Sequence, residues 1–281
     1  MVKPFFYDDE FMWNTLGIEE LPKILHQYTN LDSLEKILEN QTILFSRLDN
    51  VNDPEEATAA DMPAAATSIF VSCWTSEESE SIPMWSMYGH QLQGVRLSMP
   101  SNMFLGRAPA SVFEKGGAKT VVTSDWTISR KSPAMAKSGR CLIGPNKVHY
   151  SNASEFRNSN IVHTDGKEAH CFTYDLGMVK SEHWSYEQEW RFKLSWFPEE
   201  IIWPDDDYFR SVSTDLERYP ITTEQVFVPL DPSILESISI VRGPLMSDAD
   251  ASKLNKIVQK YAPKASIDQS SIPLRRKPGK A

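Results

Sequence analysis

Three short stretches carry residue types that could do chemistry together. The first is His26-Gln27-Tyr28-Thr29. In an extended segment successive side chains alternate between faces, so His26 and Tyr28 share one face while Leu25 and Gln27 share the other. The second is Met84-Trp85-Ser86-Met87-Tyr88-Gly89, where helical spacing puts Trp85 and Tyr88 on one side. The third is Tyr186-Glu187-Gln188-Glu189-Trp190-Arg191. If Trp190 points into a core, strand alternation sets Glu187, Glu189 and Arg191 together on the opposite face.

Each stretch has a plain structural reading and a functional one. His26 and Tyr28 fit two satisfied rings on a sheet face beneath a loop. Trp85 and Tyr88 fit a core-facing aromatic pair. They also fit an aromatic wall for a flat ligand, and a cationic ring suits such a wall because the ring quadrupole attracts positive charge. Glu187, Glu189 and Arg191 fit a solvated charged face whose ion pair is worth little. They also fit two carboxylates on the wall of a cleft, where a fixed negative charge beside a sugar stabilises an oxocarbenium-like centre.

The elements that must position these residues can be read from periodicity. Residues 22–28 read as a strand, and Asn30 caps a helix with Leu31, Leu34, Ile37 and Leu38 on one face. TILFSR at 42–47 and the apolar run SIFVSCW at 68–74 read as strands, with Asn52-Asp53-Pro54 as a turn between them. IPMWSMYGH reads as a short helix stopped by Gly89, and GVRLSM as the next strand. From about 100 to 170 the chain reads mostly as loops with a few short strands. Trp190, Phe192, Leu194 and Trp196 then alternate as one face of a strand, and an acidic, aromatic loop covers 197–220. Toward the end, EQVFVPL and SISIVRG read as strands. A helix capped near Ser247 follows, with Leu254, Ile257, Val258 and Tyr261 in register, and ASIDQS is the last strand.

Strands and helices mix without strict alternation, so the fold class is α+β with a substantial, partly antiparallel sheet. Residues 1–270 read as one such domain with a variable insertion at about 100–165, and 271–281 as a basic tail containing Arg275, Arg276, Lys277 and Lys280.

Composition narrows the function classes. The chain has 281 residues and a formal net charge of −9, which disfavours a broad nucleic-acid or anionic-membrane footprint. The three cysteines Cys73, Cys141 and Cys171 form no CxxC, so the reading is free thiols rather than a disulfide framework or zinc ribbon. His149, His163, His170 and His183 match no helical zinc pair, and no metal is expected. Asn52, Asp53, Glu55 and Glu56 fit a turn whose acids enter the next segment better than a cation site. No GxGxxG, Walker loop or GxSxG is present. The first residues lack the apolar core of a signal peptide, and no stretch is apolar enough to span a membrane, so a soluble cytoplasmic protein is expected.

HxYT before a helix, NDPEE after the second strand, MWxxYG followed by GVRLS, then ExEWR, then ISIVRGP leading into a helix occur in that order. This series resembles the bacterial family catalogued as domain of unknown function 2971, whose members are grouped with ADP-ribosyltransferase-like folds. The resemblance implies a split-sheet core of that kind with a C-terminal β-α-β element. It implies an NAD cleft built from His26, Tyr28, Thr29, Trp85, Tyr88 and Arg191. In that cleft His26 would hold the ribose, and Tyr88 or Trp85 would stack on the nicotinamide. Glu189 would hold the 2′-hydroxyl and favour the developing cation, and Glu187 would orient the acceptor. The activity implied is cleavage of the nicotinamide–ribose bond of NAD, as substrate, with transfer of ADP-ribose to a protein or nucleic-acid acceptor or to water. The competing class is a module of the same fold that senses a nucleotide or docks a partner without turnover, in a stress or phage-defence setting. For that class the acidic, aromatic stretch WFPEEIIWPDDDYF would meet a basic partner or serve as a solvated lid.

Overall fold

Alternating apolar residues build one nine-stranded, hydrogen-bonded sheet. A computed structural model describes residues 22–104, 111–115, 118–122, 141–153, 160–164, 169–171, 176–195 and 221–274. The stretch 196–220, with its acidic run, and the basic residues Arg275, Arg276, Lys277 and Lys280 lie outside the described residues. The strands of the main sheet are numbered along the chain: β1 (Ile24–Thr29), β2 (Thr42–Arg47), β3 (Ile69–Thr75), β4 (Val95–Pro100), β5 (Cys141–Lys147), β6 (Glu189–Ser195), β7 (Gln225–Pro229), β8 (Ser239–Arg242) and β9 (Ser266–Gln269). The helices are α1 (Leu31–Asn40), α2 (Ile82–Met87) and α3 (Asp248–Tyr261). The sheet order is β7-β2-β3-β1-β4-β8-β9, with β6 also on β3 and β5 beyond β6. The pairings are antiparallel except β8 with β9, which α3 connects as a parallel β-α-β unit.

Local chemistry sets the ends of the elements. The Asn30 side chain accepts from Ser33 N at 2.8 Å and starts α1, which buries Leu31, Leu34 and Leu38. Ser247 does the same for α3 by accepting from Asp250 N at 3.0 Å. α1 and α3 are tied by Asp32–Lys253 at 2.6 Å, an exposed pair that adds little. The main core gathers Leu25, Leu34, Phe45, Phe70, Leu97, Phe104, Phe192 and Leu254. A smaller core behind the α2 region holds Tyr28, Met84, Trp85 and Val241. Among the described residues no helix is long and apolar enough to cross a membrane.

The sheet is forked rather than split into two. One edge of β3 pairs with β6 along its whole length, from Ile69↔Ser195 to Thr75↔Glu189. Its other edge is shared. β2 pairs at Phe70 and Val71, and β1 pairs only at Thr75. Between these points Ser72, Cys73 and Trp74 face a gap that Gln27 Nε2 partly fills by donating to Cys73 O at 3.1 Å. The gap opens the sheet into a cleft.

Three sequence expectations differ from the structure. β5, a strand of 7 residues that contains Gly144 and Pro145, lies in the stretch read as loops with a few short strands. Proline is tolerated at a sheet edge, where a missing N–H removes no ladder bond. The charged face of β6 is not solvated: Arg191 and Lys193 are fully buried beside Phe192 and Leu194, so both faces of this strand are covered. Finally, α2 ends at Tyr88, and the left-handed residues that follow are His90, Gln91 and Leu92 rather than Gly89.

The turn after α2 is held by backbone contacts: Gly94 N donates to Gly89 O at 2.8 Å, and Gly243 N donates to Gly94 O at 2.8 Å. A Cβ on Gly94 would lie 2.2 Å from Thr29 O, a backbone atom that cannot swing away. Gly94→Ala is therefore expected to destabilise the fold by about 3 kcal/mol, at the upper end of overpacking costs. Urea denaturation checks this, with the exposed Ser86→Ala staying within about 0.5 kcal/mol of the native chain.

Candidate functional site

The fork opens into a cleft of about 740 Å³, within the range of small-ligand sites. Among the described residues its lining includes His26, Tyr28, Thr29, Tyr88, Glu187, Glu189 and Arg191. Three distant stretches of sequence therefore meet at one crevice. Asn52, Glu56 and Lys180 join them, and the sequence reading had not placed these three in a site.

The two carboxylates arrive by different local routes. Glu187 does not sit on β6 as strand alternation suggested. It ends a 3-10 turn, Glu182–Glu187, that follows Ser181, and Gln188 then bends through a left-handed conformation (φ 43°). Only Glu189 is on the strand, where its N–H donates to the Tyr150 hydroxyl at 2.8 Å. The bend aims both side chains at one ammonium. Lys180 Nζ donates to Glu187 Oε2 at 2.6 Å and to Glu189 Oε2 at 3.2 Å. Lys180 also lies 5.0 Å from the centre of the Trp184 ring.

Arg191 is the second cation, and no part of it reaches solvent. Its Nε donates to Glu189 Oε1 at 2.6 Å, and its Nη1 donates to Glu56 Oε2 at 2.8 Å. Nη1 also donates to the Gly177 carbonyl. Gly177 holds a left-handed φ of 69°, and its N–H donates to Glu56 O at 3.1 Å. The NDPEE turn thus serves the site. Asp53 accepts from Ser181 N at 3.1 Å, Asn52 Nδ2 donates to the Tyr88 hydroxyl at 2.9 Å, and Glu56 pairs with Arg191.

The surroundings drive the carboxylates apart in ionisation. Burial alone raises the Glu189 acid, but Arg191 and Lys180 outweigh it and bring it to about 2. Glu187 goes the other way. Burial raises it, and the nearby Glu189 charge adds to the rise that Lys180 opposes. Burial also lifts Glu56 despite its pairing with Arg191. Lys180 stays charged because the carboxylates around it overcome the cost of burial. The Tyr88 hydroxyl donates to Glu187 Oε1 at 2.5 Å, and burial together with that carboxylate keeps the phenol protonated.

His26 meets a different environment. Its Nδ1 and the Ser98 hydroxyl share a 2.7 Å hydrogen bond. Burial, helped by the Arg96 charge, lowers its pKa to about 4, so the ring is neutral at pH 7. Tyr28 lines the cleft with its ring while its hydroxyl accepts from Ser81 N at 3.2 Å. Trp85 does not reach the cleft. Its indole is fully buried in the smaller core, edge-on to Tyr28 at 4.8 Å, with Nε1 donating to Glu80 at 2.9 Å. The helix stops at Tyr88, and of the pair Trp85 and Tyr88 only Tyr88 lines the cleft.

A depressed acid makes Glu189 a stabilising group only while it is ionised. Its contribution is complete above the ordinary carboxyl value of 4.5 and is lost as pH falls through about 2. Across that window the native protein is expected to lose about 3 kcal/mol from this group. Urea midpoints measured down the acid range check this, and in Glu189→Gln the same slope should flatten.

No curated protein and no solved structure matches the chain. The model of the family described as Protein of unknown function (DUF2971) matches residues 84–192, from α2 to the Glu189–Arg191 end of β6. Over that stretch the chain is similar to the family that its ordered motifs resemble.

Proposed function

We propose that the cleft binds NAD and cleaves its nicotinamide–ribose bond, passing ADP-ribose to a macromolecular acceptor or to water, as ADP-ribosyltransferase-like proteins do. The observation that carries this reading is a pair of carboxylates bridged by Lys180, the acid of one lowered and that of the other raised, beside Tyr88 and His26. Environments that push two acids apart divide their roles. Glu189, held ionised, stabilises positive charge as the glycosidic bond lengthens and nicotinamide leaves with the bonding electrons. Glu187, with its raised acid and its contact to Tyr88, takes the proton that the acceptor loses on attacking the sugar. Neutral His26 offers its free ring nitrogen to a ribose hydroxyl, and Tyr88 presents its ring to the leaving pyridine. Thr29 and Arg191 complete the walls.

A second reading draws on the ion pairing itself. Both cations neutralise Glu189 at close range, which weakens its field at a sugar. A chain that holds a nucleotide without consuming it, as a sensor or partner-docking module, would tolerate that balance.

Incubating the purified protein with nicotinamide-labelled NAD, with and without protein and nucleic-acid acceptors, separates the two. The catalytic reading expects nicotinamide release that falls by about a hundredfold or more in Glu189→Gln, the scale of losing a charge-stabilising group. Release that is absent in the native chain, or unchanged in that variant, overturns it. Calorimetric binding of NAD without consumption supports the sensing reading.

A further inference from the structure

Two buried polar atoms lack a hydrogen-bond partner among the described residues: Arg191 Nη2 and Glu56 Oε1. Both belong to residues that line the cleft, and both residues are almost wholly buried, at 0% and 2% exposure. Their other polar atoms are satisfied. Arg191 Nε serves Glu189, and Nη1 serves Glu56 Oε2 and the Gly177 carbonyl. A buried donor or acceptor left unmade is costly, so such atoms are rare and call for a partner. Here one is a donor and the other an acceptor, and an ion pair of 2.8 Å holds their parent groups side by side.

We propose that Arg191 and Glu56 read a planar primary carboxamide, whose carbonyl accepts from Arg191 Nη2 and whose NH₂ donates to Glu56 Oε1. The chemistry of the alternatives argues for this choice. A ligand carboxylate presents acceptors only and sets like charge against Glu56. An ammonium or guanidinium presents donors only and sets like charge against Arg191. A carboxamide is neutral and carries one group for each atom. Selectivity then comes from penalising the wrong partner as much as from rewarding the right one. Neither residue would touch the bond that breaks, so both are specificity-determining residues rather than catalytic ones. The inference rests on the proposed nucleotide reading only in that the leaving ring of NAD carries such a carboxamide.

The test is calorimetric titration of the native protein with nicotinamide and nicotinate, and with NAD and its nicotinic-acid analogue. Sites that hydrogen-bond a specific group reject the analogue lacking it, and a preference of about tenfold or more for each carboxamide is expected. Glu56→Gln keeps the shape while removing the anion, and circular dichroism confirms its fold. In it the preference should shrink to about threefold or less. If that variant does not fold, the native preference alone decides. Equal affinity for the two members of each pair overturns the proposal, as does failure of both small probes to bind at millimolar concentration. The two readings fail separately. NAD and its acid analogue consumed equally well would sink the carboxamide site and leave NAD cleavage standing. A tenfold preference for nicotinamide with NAD left intact would do the reverse.

Discussion

Two cations and three carboxylates buried together set the terms for everything else in this molecule. Moving a charge out of water costs several kcal/mol, and only close, well-directed partners offset it. Glu56, Lys180, Glu187, Glu189 and Arg191 are all below 5% exposure, so none can fall back on solvent. The elements that carry them must therefore be placed to within fractions of an ångström. The Gly177 carbonyl, the Tyr150 hydroxyl and the Asp53 carboxylate serve that placement. Of these only Asp53 lies in one of the ordered motifs, NDPEE.

The forked edge of β3 explains why such a cluster lies beside a cavity rather than inside a sealed core. Full pairing of β3 with β2 or with β1 would close the sheet over Ser72, Cys73 and Trp74. Sharing the edge leaves β1 to diverge, and His26, Tyr28 and Thr29 become one wall of the opening. Lys180 and Arg191 also line it. The backbone thus supplies the space, and the ion cluster supplies its polarity.

Much of this frame was legible in the sequence, and the reasons differ by element. α1 and α3 were readable because a capping side chain and a clean apolar period agree, as at Asn30 with Leu31, Leu34 and Leu38. His26, Tyr28, Tyr88, Glu187, Glu189 and Arg191, singled out by type and order, line one cleft. What was missed depends on contacts far apart in the chain. Lys180 sits alone in a plain stretch and gains meaning only from the Glu187–Gln188–Glu189 bend. The burial of Arg191 is invisible to alternation, which marks a polar face but cannot say that the Gly177 carbonyl and the Glu56 side chain meet it. Trp85 misled because three-residue spacing implies a shared face only while the helix continues.

The charge balance of the cluster bears directly on the proposed chemistry. With every group in its ordinary state, three carboxylates face two cations, one negative charge in excess. Burial, with the neighbouring Glu189 charge adding to it, raises the acids of Glu187 and Glu56. The pyridine ring of NAD carries one positive charge. On the proposed reading its arrival would offset the excess negative charge and ease the ionisation of Glu187. The carboxylate would become a base when the cationic substrate is in place. As the bond breaks, the positive charge passes from the ring to the sugar, and the leaving nicotinamide becomes neutral. The excess negative charge of the cluster then has a new object within the same cleft, and a base is ready for the acceptor's proton. The cations that weaken Glu189 as a lone charge are thus what make the ionisation of its neighbour depend on the ligand.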